Sequence, residues 1–341
     1  MRISSIAHYR CPKTKAQLTL DKETSSSSDI VQSGQLIGGE RPYQIEDGIV
    51  NFAPDDLLQG SAKFAREYYA KIAETYDDNV HITFDLYGED ERDIRIQMID
   101  LLNLDQENRV LEVSAGTGKD SELISQRLSE RGELWLLDIS PEMLAKAKTR
   151  LENSHVPTEF TVGNASSLPF ADNFFDALYC FAGIGHFPDL RAGLHEMARV
   201  VKPGGRVVFC EKHVPAWLRN TTYGKVLINN NPMFAEPDPL RHIPVEARDL
   251  GIRWINGNVH YVVDYSVGEG EPEGNFDLIL PGDRGGSFHT RFYGQLEGVT
   301  PEAKELYYKA ASKSGKSLHS WLDEVVREAA KRDLSGMEGE E

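Results

Sequence analysis

A chain that runs Val110-Leu-Glu-Val-Ser-Ala-Gly-Thr-Gly118 has few ways to fold around that stretch. Val110, Leu111 and Val113 form a short apolar run suited to a buried strand of a parallel sheet. The run breaks into small residues. A helical pattern follows over residues 119–129, with Leu123, Ile124 and Leu128 on one face. Strand, tight turn and helix in that order place bare backbone N–H groups and a helix N-terminus over a ligand. Glu112 narrows the choice of ligand. An acid beside the loop repels an anion, and no Lys-Ser/Thr pair follows the last glycine, so a phosphate-cradling loop is excluded. A cationic ligand fits.

The stretch resembles the first motif of class I S-adenosylmethionine-dependent methyltransferases, acid-x-Gly-x-Gly-x-Gly. Glu112 is the acid, Ser114 stands at the first glycine position, and Gly116 and Gly118 fill the others. S-adenosylmethionine carries an ammonium and a sulfonium, the kind of charge such an acid suits. Further segments follow in the family's order. Residues 134–140 are a second apolar strand ending in Asp138, roughly 20 residues past the loop, where a carboxylate reaches ribose hydroxyls. Ser140 and Pro141 then read as cap and first turn of a helix. Residues 160–165 are a third strand, ending in Asn164-Ala165 where the family usually has Asp-Ala. Residues 173–179 and 200–209 supply a fourth and a fifth.

This resemblance spans about residues 68–209. It implies an α/β, Rossmann-like doubly wound sheet with S-adenosylmethionine as cofactor. Glu112, Ser114, Gly116 and Gly118 would hold the amino acid part, Asp138 the ribose, and Ile139, Met143, Asn164 and Ala165 the adenine. Phe181 closes the fourth strand beside them. A helix over residues 61–76, with Phe64, Tyr68, Ile72 and Tyr76 near one face, ends in the Tyr-Asp pair that the family places over the cofactor. An amphipathic helix packed on the core reads equally well.

Methyl transfer asks mainly for positioning, because the sulfonium is already activated. A base is needed only where the nucleophile must lose a proton. The candidates are His186, in Cys180-Phe-Ala-Gly-Ile-Gly-His186, and Glu211 and His213 past the fifth strand; a structural role for His186 stays open. Neither the Asn/Asp-Pro-Pro-aromatic motif of amino-group nucleic-acid methylation nor a Pro-Cys nucleophile is present. The pattern most resembles methyltransferases of quinone biosynthesis and natural-product tailoring, which implies a small-molecule acceptor. Two alternatives stand: an RNA or protein methyltransferase, and a non-enzymatic cofactor-sensing regulator.

The flanks read as follows. Residues 1–56 form a small β-rich unit whose Cys-Pro … Tyr-x-Ile-x-Asp-Gly-Ile frame resembles the zinc-ribbon-like activator of certain methyltransferases. Only Cys11 is present, so no zinc is expected, and Cys11 reads as a buried small side chain. Residues 61–286 form the methyltransferase domain, with a substrate-side insertion over 214–286. In that insertion Trp254-Ile-Asn-Gly-Asn258 is a turn, and residues 259–267 and 276–280 are strands. Trp217, Tyr223, Phe234 and Trp254 form either an acceptor cap or the insertion's own core; His81, Phe84 and Tyr87 are candidates for an acceptor wall. Residues 287–335 alternate and then turn helical, a strand-helix-helix tail resembling ribbon-helix-helix regulators, with Arg291 and Gln295 on one strand face; residues from Gly336 on are expected to be disordered. A homodimer through this tail is expected. The net charge of −17 argues against nucleic acid and anionic membranes as partners. Three cysteines without metal spacing, no apolar leader and no spanning run predict a cytoplasmic protein without a membrane segment.

Overall fold

A computed structural model of the chain describes residues 1–22, 24, 29–235, 239–281, 286–293 and 299–335. Gln295 and the stretch from Gly336 on lie outside the described residues. The chain divides into two compact units, Met1–Pro272 and Glu273–Glu341. The expected boundary at residue 286 therefore moves to 272.

The first unit opens with four short strands, β1 (Thr19–Leu20), β2 (Gly34–Ile37), β3 (Tyr43–Glu46) and β4 (Ile49–Asn51). Helices α1 (Gly60–Ile72), α2 (Tyr76–Asn79), α3 (Ile82–Asp85) and α4 (Glu91–Asp100) follow. Strands and helices then alternate: β5 (Arg109–Val113), α5 (Lys119–Ser125), β6 (Glu133–Asp138), α6 (Pro141–Arg150), β7 (Thr158–Val162), β8 (Phe175–Phe181), α7 (Leu190–Val200) and β9 (Val201–Lys212). Helix α8 (Thr222–Asn230) and the hairpin β10 (Ala247–Ile255) and β11 (His260–Val267) complete the unit.

All eleven strands join one sheet in the order β1-β2-β3-β4-β7-β6-β5-β8-β9-β11-β10. The stretch from β4 to β9 is parallel and its flanks are antiparallel. Alternate residues of β5 feed the two faces, Leu111 and Val113 one apolar core and Val110 the other, as a sheet covered on both sides requires. The sheet order reverses between β5 and β8, and ligands of open α/β sheets bind outside the strand ends at that point.

The N-terminal strands are not a separate unit. β4 pairs in parallel with β7, and the preceding segment is pinned to the same strand. Arg2 Nε and Ser5 Oγ donate to the buried Glu159 carboxylate at 2.8 and 2.7 Å. Tyr9 Oη lies 2.9 Å from Thr161 Oγ1. Cys11 is buried, 3.2 Å from Tyr43 Oη.

Two local expectations change. The buried face of α1 is Ala62 and Ala65, whereas Phe64 and Tyr68 are 60% and 45% exposed. Residues 276–280 form a turn rather than a strand. The expected turn lies between β10 and β11 as a four-residue connection over residues 256–259, with Asn256, Gly257 and Asn258 at positive φ, a backbone that Asn and Gly accept most readily.

The second unit holds α9 (Phe288–Tyr293), α10 (Pro301–Ser314) and α11 (Leu318–Ser335). The expected strand of the tail is a helix. Ser287 opens it, its Oγ accepting from the Thr290 N–H while Thr290 Oγ1 accepts from the Ser287 N–H, a reciprocal cap. Without that strand the ribbon-helix-helix likeness lapses. Thr300 caps α10 and Gly315, at φ +69°, ends it. Tyr307 packs on Trp321 and donates to the Leu318 carbonyl at 2.8 Å.

Candidate active site

The turn after β5 takes left-handed backbone at Ser114, Gly116 and Gly118 (φ +57°, +55° and +78°). Gly116 needs its missing side chain for another reason as well: the space where a Cβ would stand is open, facing a cleft. Asp138, at the end of β6, fastens this turn. Its two oxygens accept the N–H groups of Gly116 and Ser140, both at 2.8 Å. Burial pushes its carboxyl above the usual range, although those N–H groups pull the other way. Ser140 caps α6 by accepting the Met143 N–H, which turns Met143 toward the same cleft.

The cleft is open to solvent. Of the residues singled out from sequence, Tyr76, Ser114, Gly116, Asp138, Ile139, Met143, Asn164, Ala165, Phe181 and His186 line it. Asn164 caps a short turn with its side-chain oxygen, accepting the Ser166 N–H at 2.9 Å; the second lone pair of that oxygen remains.

Four predicted residues lie off the wall. Glu112 is 2% exposed and sits beneath the loop, where Ser121 Oγ donates to it. Burial, then the Asp120 charge, raises its carboxyl well above the ordinary value. Gly118 packs against α6, where a Cβ would meet Ala147 at 3.0 Å. Glu211 accepts the N–H groups of Gly185 and Lys212 at 2.8 and 2.9 Å. Burial opposes its ionisation, but the Lys212 charge and these N–H groups win and lower its pKa. It anchors the loop that carries His186. His213 packs between Trp254 and Tyr261. Phe234 joins a small core of Val214, Leu227 and Val259, whereas Trp217 and Tyr223 are exposed.

His186 faces the cleft, edge-on to Tyr69 with ring centroids 5.6 Å apart. Burial lowers its pKa, which favours the neutral imidazole, the form able to accept a proton. Tyr76 is pushed up to about 12 by burial, so its hydroxyl stays protonated.

Several cleft residues escaped the sequence reading. Ala62 and Ala65 let α1 lie close over the opening. Arg66 locks that helix down, donating to the Ile139 carbonyl at 2.5 Å. Asp77 does the same for α2, accepting from Thr117 Oγ1 at 2.6 Å and Arg150 Nη2 at 2.5 Å. Gly183 passes so near Ser114 that a Cβ would meet its side chain at 2.3 Å. The Tyr-Asp pair of residues 76–77 was the only available sign of this lid.

A second cavity lies behind Tyr69, Tyr76, Phe181 and Ala182, residues it shares with the cleft. Phe84 lines it; His81 and Tyr87 do not. Arg95 stands near, its guanidinium 4.6 Å from the Phe181 ring centroid and paired with the buried Asp120. Among the described residues no group of three or more His, Cys, Asp or Glu side chains is placed to hold a metal ion, and no helix is long and apolar enough to cross a membrane.

Residues 110–205 match a family described as a methyltransferase domain. The chain is 35% identical over 160 residues to the demethylmenaquinone methyltransferase of Bacillus licheniformis, covering 47% of this chain and 67% of that one. It is 32% identical over 176 residues to the enzyme of the same name from Desulfitobacterium hafniense, covering 51% and 66%. Among solved structures, a methyltransferase dependent on S-adenosylmethionine from Aquifex aeolicus is similar at 15% identity and a TM-score of 0.42, over 58% of this chain and 98% of that one.

Proposed function

The chain belongs to the class I S-adenosylmethionine-dependent methyltransferases, and from that premise we propose that it methylates a small organic molecule, with the cofactor held in the cleft bounded by Asp138 and His186. One observation carries the proposal. One cleft runs from a buried carboxylate fixed by two backbone N–H groups to the His186 imidazole, set edge-on to Tyr69.

The residues present fit the cofactor. Asp138 would take the ribose hydroxyls, and its buried oxygens keep lone pairs for them beyond the two backbone bonds. Ile139, Met143, Asn164 and Ala165 would frame the adenine. The turn at Ser114 and Gly116, with open space over Gly116, would cradle the amino acid part under Tyr76. When bound, the cofactor supplies an electrophilic methyl group already activated by its sulfonium. The chain's own residues orient and enclose. Arg66 and Asp77 hold α1 and α2 across the opening and exclude water. His186 accepts a proton where the acceptor must lose one, its neutral form being favoured by burial. Glu211, held ionised, fixes the loop of His186 through Gly185.

The name shared by the two bacterial relatives supports a small organic acceptor. The exposed Leu306, Tyr308, Val326 and Leu334 of the second unit support homodimerisation through those helices, which light scattering of the full chain checks. Three cysteines, all buried and unpaired, agree with a reducing cytoplasm. Calorimetric titration with S-adenosylhomocysteine tests the core of the reading. Micromolar binding is expected; absence of binding would remove it.

A further inference from the structure

The second cavity carries chemistry that the cofactor cleft does not use. Two of its polar residues, Lys212 and His260, are directly opposed across the antiparallel pair β9 and β11, and opposed residues project from the same face of a sheet. His260 is 2% exposed, yet its Nδ1 is buried with no hydrogen-bond partner. An unpaired buried polar atom is costly and calls for an explanation. The carboxylate nearest the Lys212 ammonium is that of Glu211, at 3.5 Å, and Glu211 already takes two backbone N–H groups. Lys212 thus keeps hydrogen-bonding capacity to spare. The remaining wall mixes rings and aliphatic groups, among them Tyr68, Ile72, Phe84 and Phe181, with the polar Thr75, Asn79 and Thr83. A pocket lined by rings with a few convergent polar groups is the usual form of a small-molecule site.

We infer that this cavity is the acceptor subsite and selects a planar acceptor with an anionic oxygen, seated between the Lys212 ammonium and His260; the inference rests on the methyl-transfer reading above. Tyr69, Tyr76, Phe181 and Ala182 line both cavities, so ligands filling both would approach each other there. The ammonium, enclosed by low-dielectric walls, attracts an anion more strongly than it would in water. The anionic oxygen belongs to a carboxylate or to an ionised hydroxyl.

Three probes decide the matter by direct titration of the full chain: 1-naphthoate, 4-nitrophenolate and the neutral 1-naphthalenemethanol. Each is titrated with and without S-adenosylhomocysteine. At least one anion is expected to bind tenfold or more tightly than the neutral alcohol, and which anion does so identifies the oxygen. Lys212→Met should abolish that preference while leaving S-adenosylhomocysteine affinity within about twofold. Lys212→Arg should keep it, and His260→Phe should weaken anion binding about threefold. Equal binding of the neutral probe, no binding of any probe, or a preference that survives Lys212→Met would overturn the inference. Failure to bind S-adenosylhomocysteine would instead count against the methyl-transfer reading, since the anion preference is still read on the free protein. Should Lys212→Met not fold, the comparison of wild type with His260→Phe decides.

Discussion

The two cavities that share Phe181 in their walls are built on opposite plans. In the cofactor cleft the polar groups are closed into the backbone: Asp138 on Gly116 and Ser140, Asn164 on Ser166. Such a network holds its shape without a ligand. In the neighbouring cavity His260 is buried with an unsatisfied nitrogen. The first is organised in advance for a ligand that every turnover shares. The second holds polarity that only a particular ligand completes. Specificity would thus rest on a polar group that the resting protein leaves unsatisfied.

The largest test of this contrast is acid. Burial, with the Lys212 charge second, depresses His260 from 6.5 to about 4. The unfolded ring takes up its proton first, so this term is fully present above about pH 6.5 and is lost as the pH falls toward 4. By linkage the loss approaches about 3 kcal/mol. Thermal melts of the wild type should fall over that window more steeply than those of His260→Phe; parallel curves would break the contrast. Next comes Asp138→Ala, which removes the fastening of the cleft. Calorimetry should show S-adenosylhomocysteine affinity reduced more than tenfold, since hydrogen bonds to charged groups are worth about 1.5–3 kcal/mol. Gly183→Ala forces a Cβ against Ser114 and should cost about 1–3 kcal/mol of stability by overpacking, read by urea titration. The smallest effect belongs to the lid. Asp77→Ala frees Thr117 and Arg150, and stopped-flow fluorescence should show cofactor release accelerated by about fivefold, the equivalent of about 1 kcal/mol.

Legibility in the sequence follows the same division. The β5 turn, Asp138 and the capped start of α6 could be read because each is a local rule: small residues in a turn, a carboxylate at a strand end, Ser-Pro before a helix. Tyr76, Ile139, Met143, Asn164 and Ala165 come instead from the family resemblance, and they too line the cleft. Glu112 was placed at the right strand end, but strand alternation sends its side chain beneath the loop, and the turn alone could not reveal that Ser121 would claim it. Residues 61–76 read as one helix with Phe64 and Tyr68 on its packed face; the helix ends at Ile72 and both rings are exposed. Large apolar side chains usually mark the core, but this helix lies over a cleft, where small Ala62 and Ala65 permit close approach. Residues 288–293 alternate like a strand, while the Ser287–Thr290 cap gave the competing local signal. Lys212 and His260 are 48 positions apart, and only the β9–β11 register brings them together.

The parallel pairing of β4 with β7 has a consequence for biosynthesis. Ile49 leaves the ribosome more than a hundred residues before its partner Phe160. During that interval β2 and β3 can form a hairpin, but Tyr9, Val50 and Phe52 have no surface to cover. The opening segment therefore waits as an exposed apolar ribbon until Thr158–Val162 emerges. Such long-range closure is slow and leaves the nascent chain open to aggregation. The buried Glu159, gathering Arg2 and Ser5 across more than 150 positions, then fastens that segment onto β7.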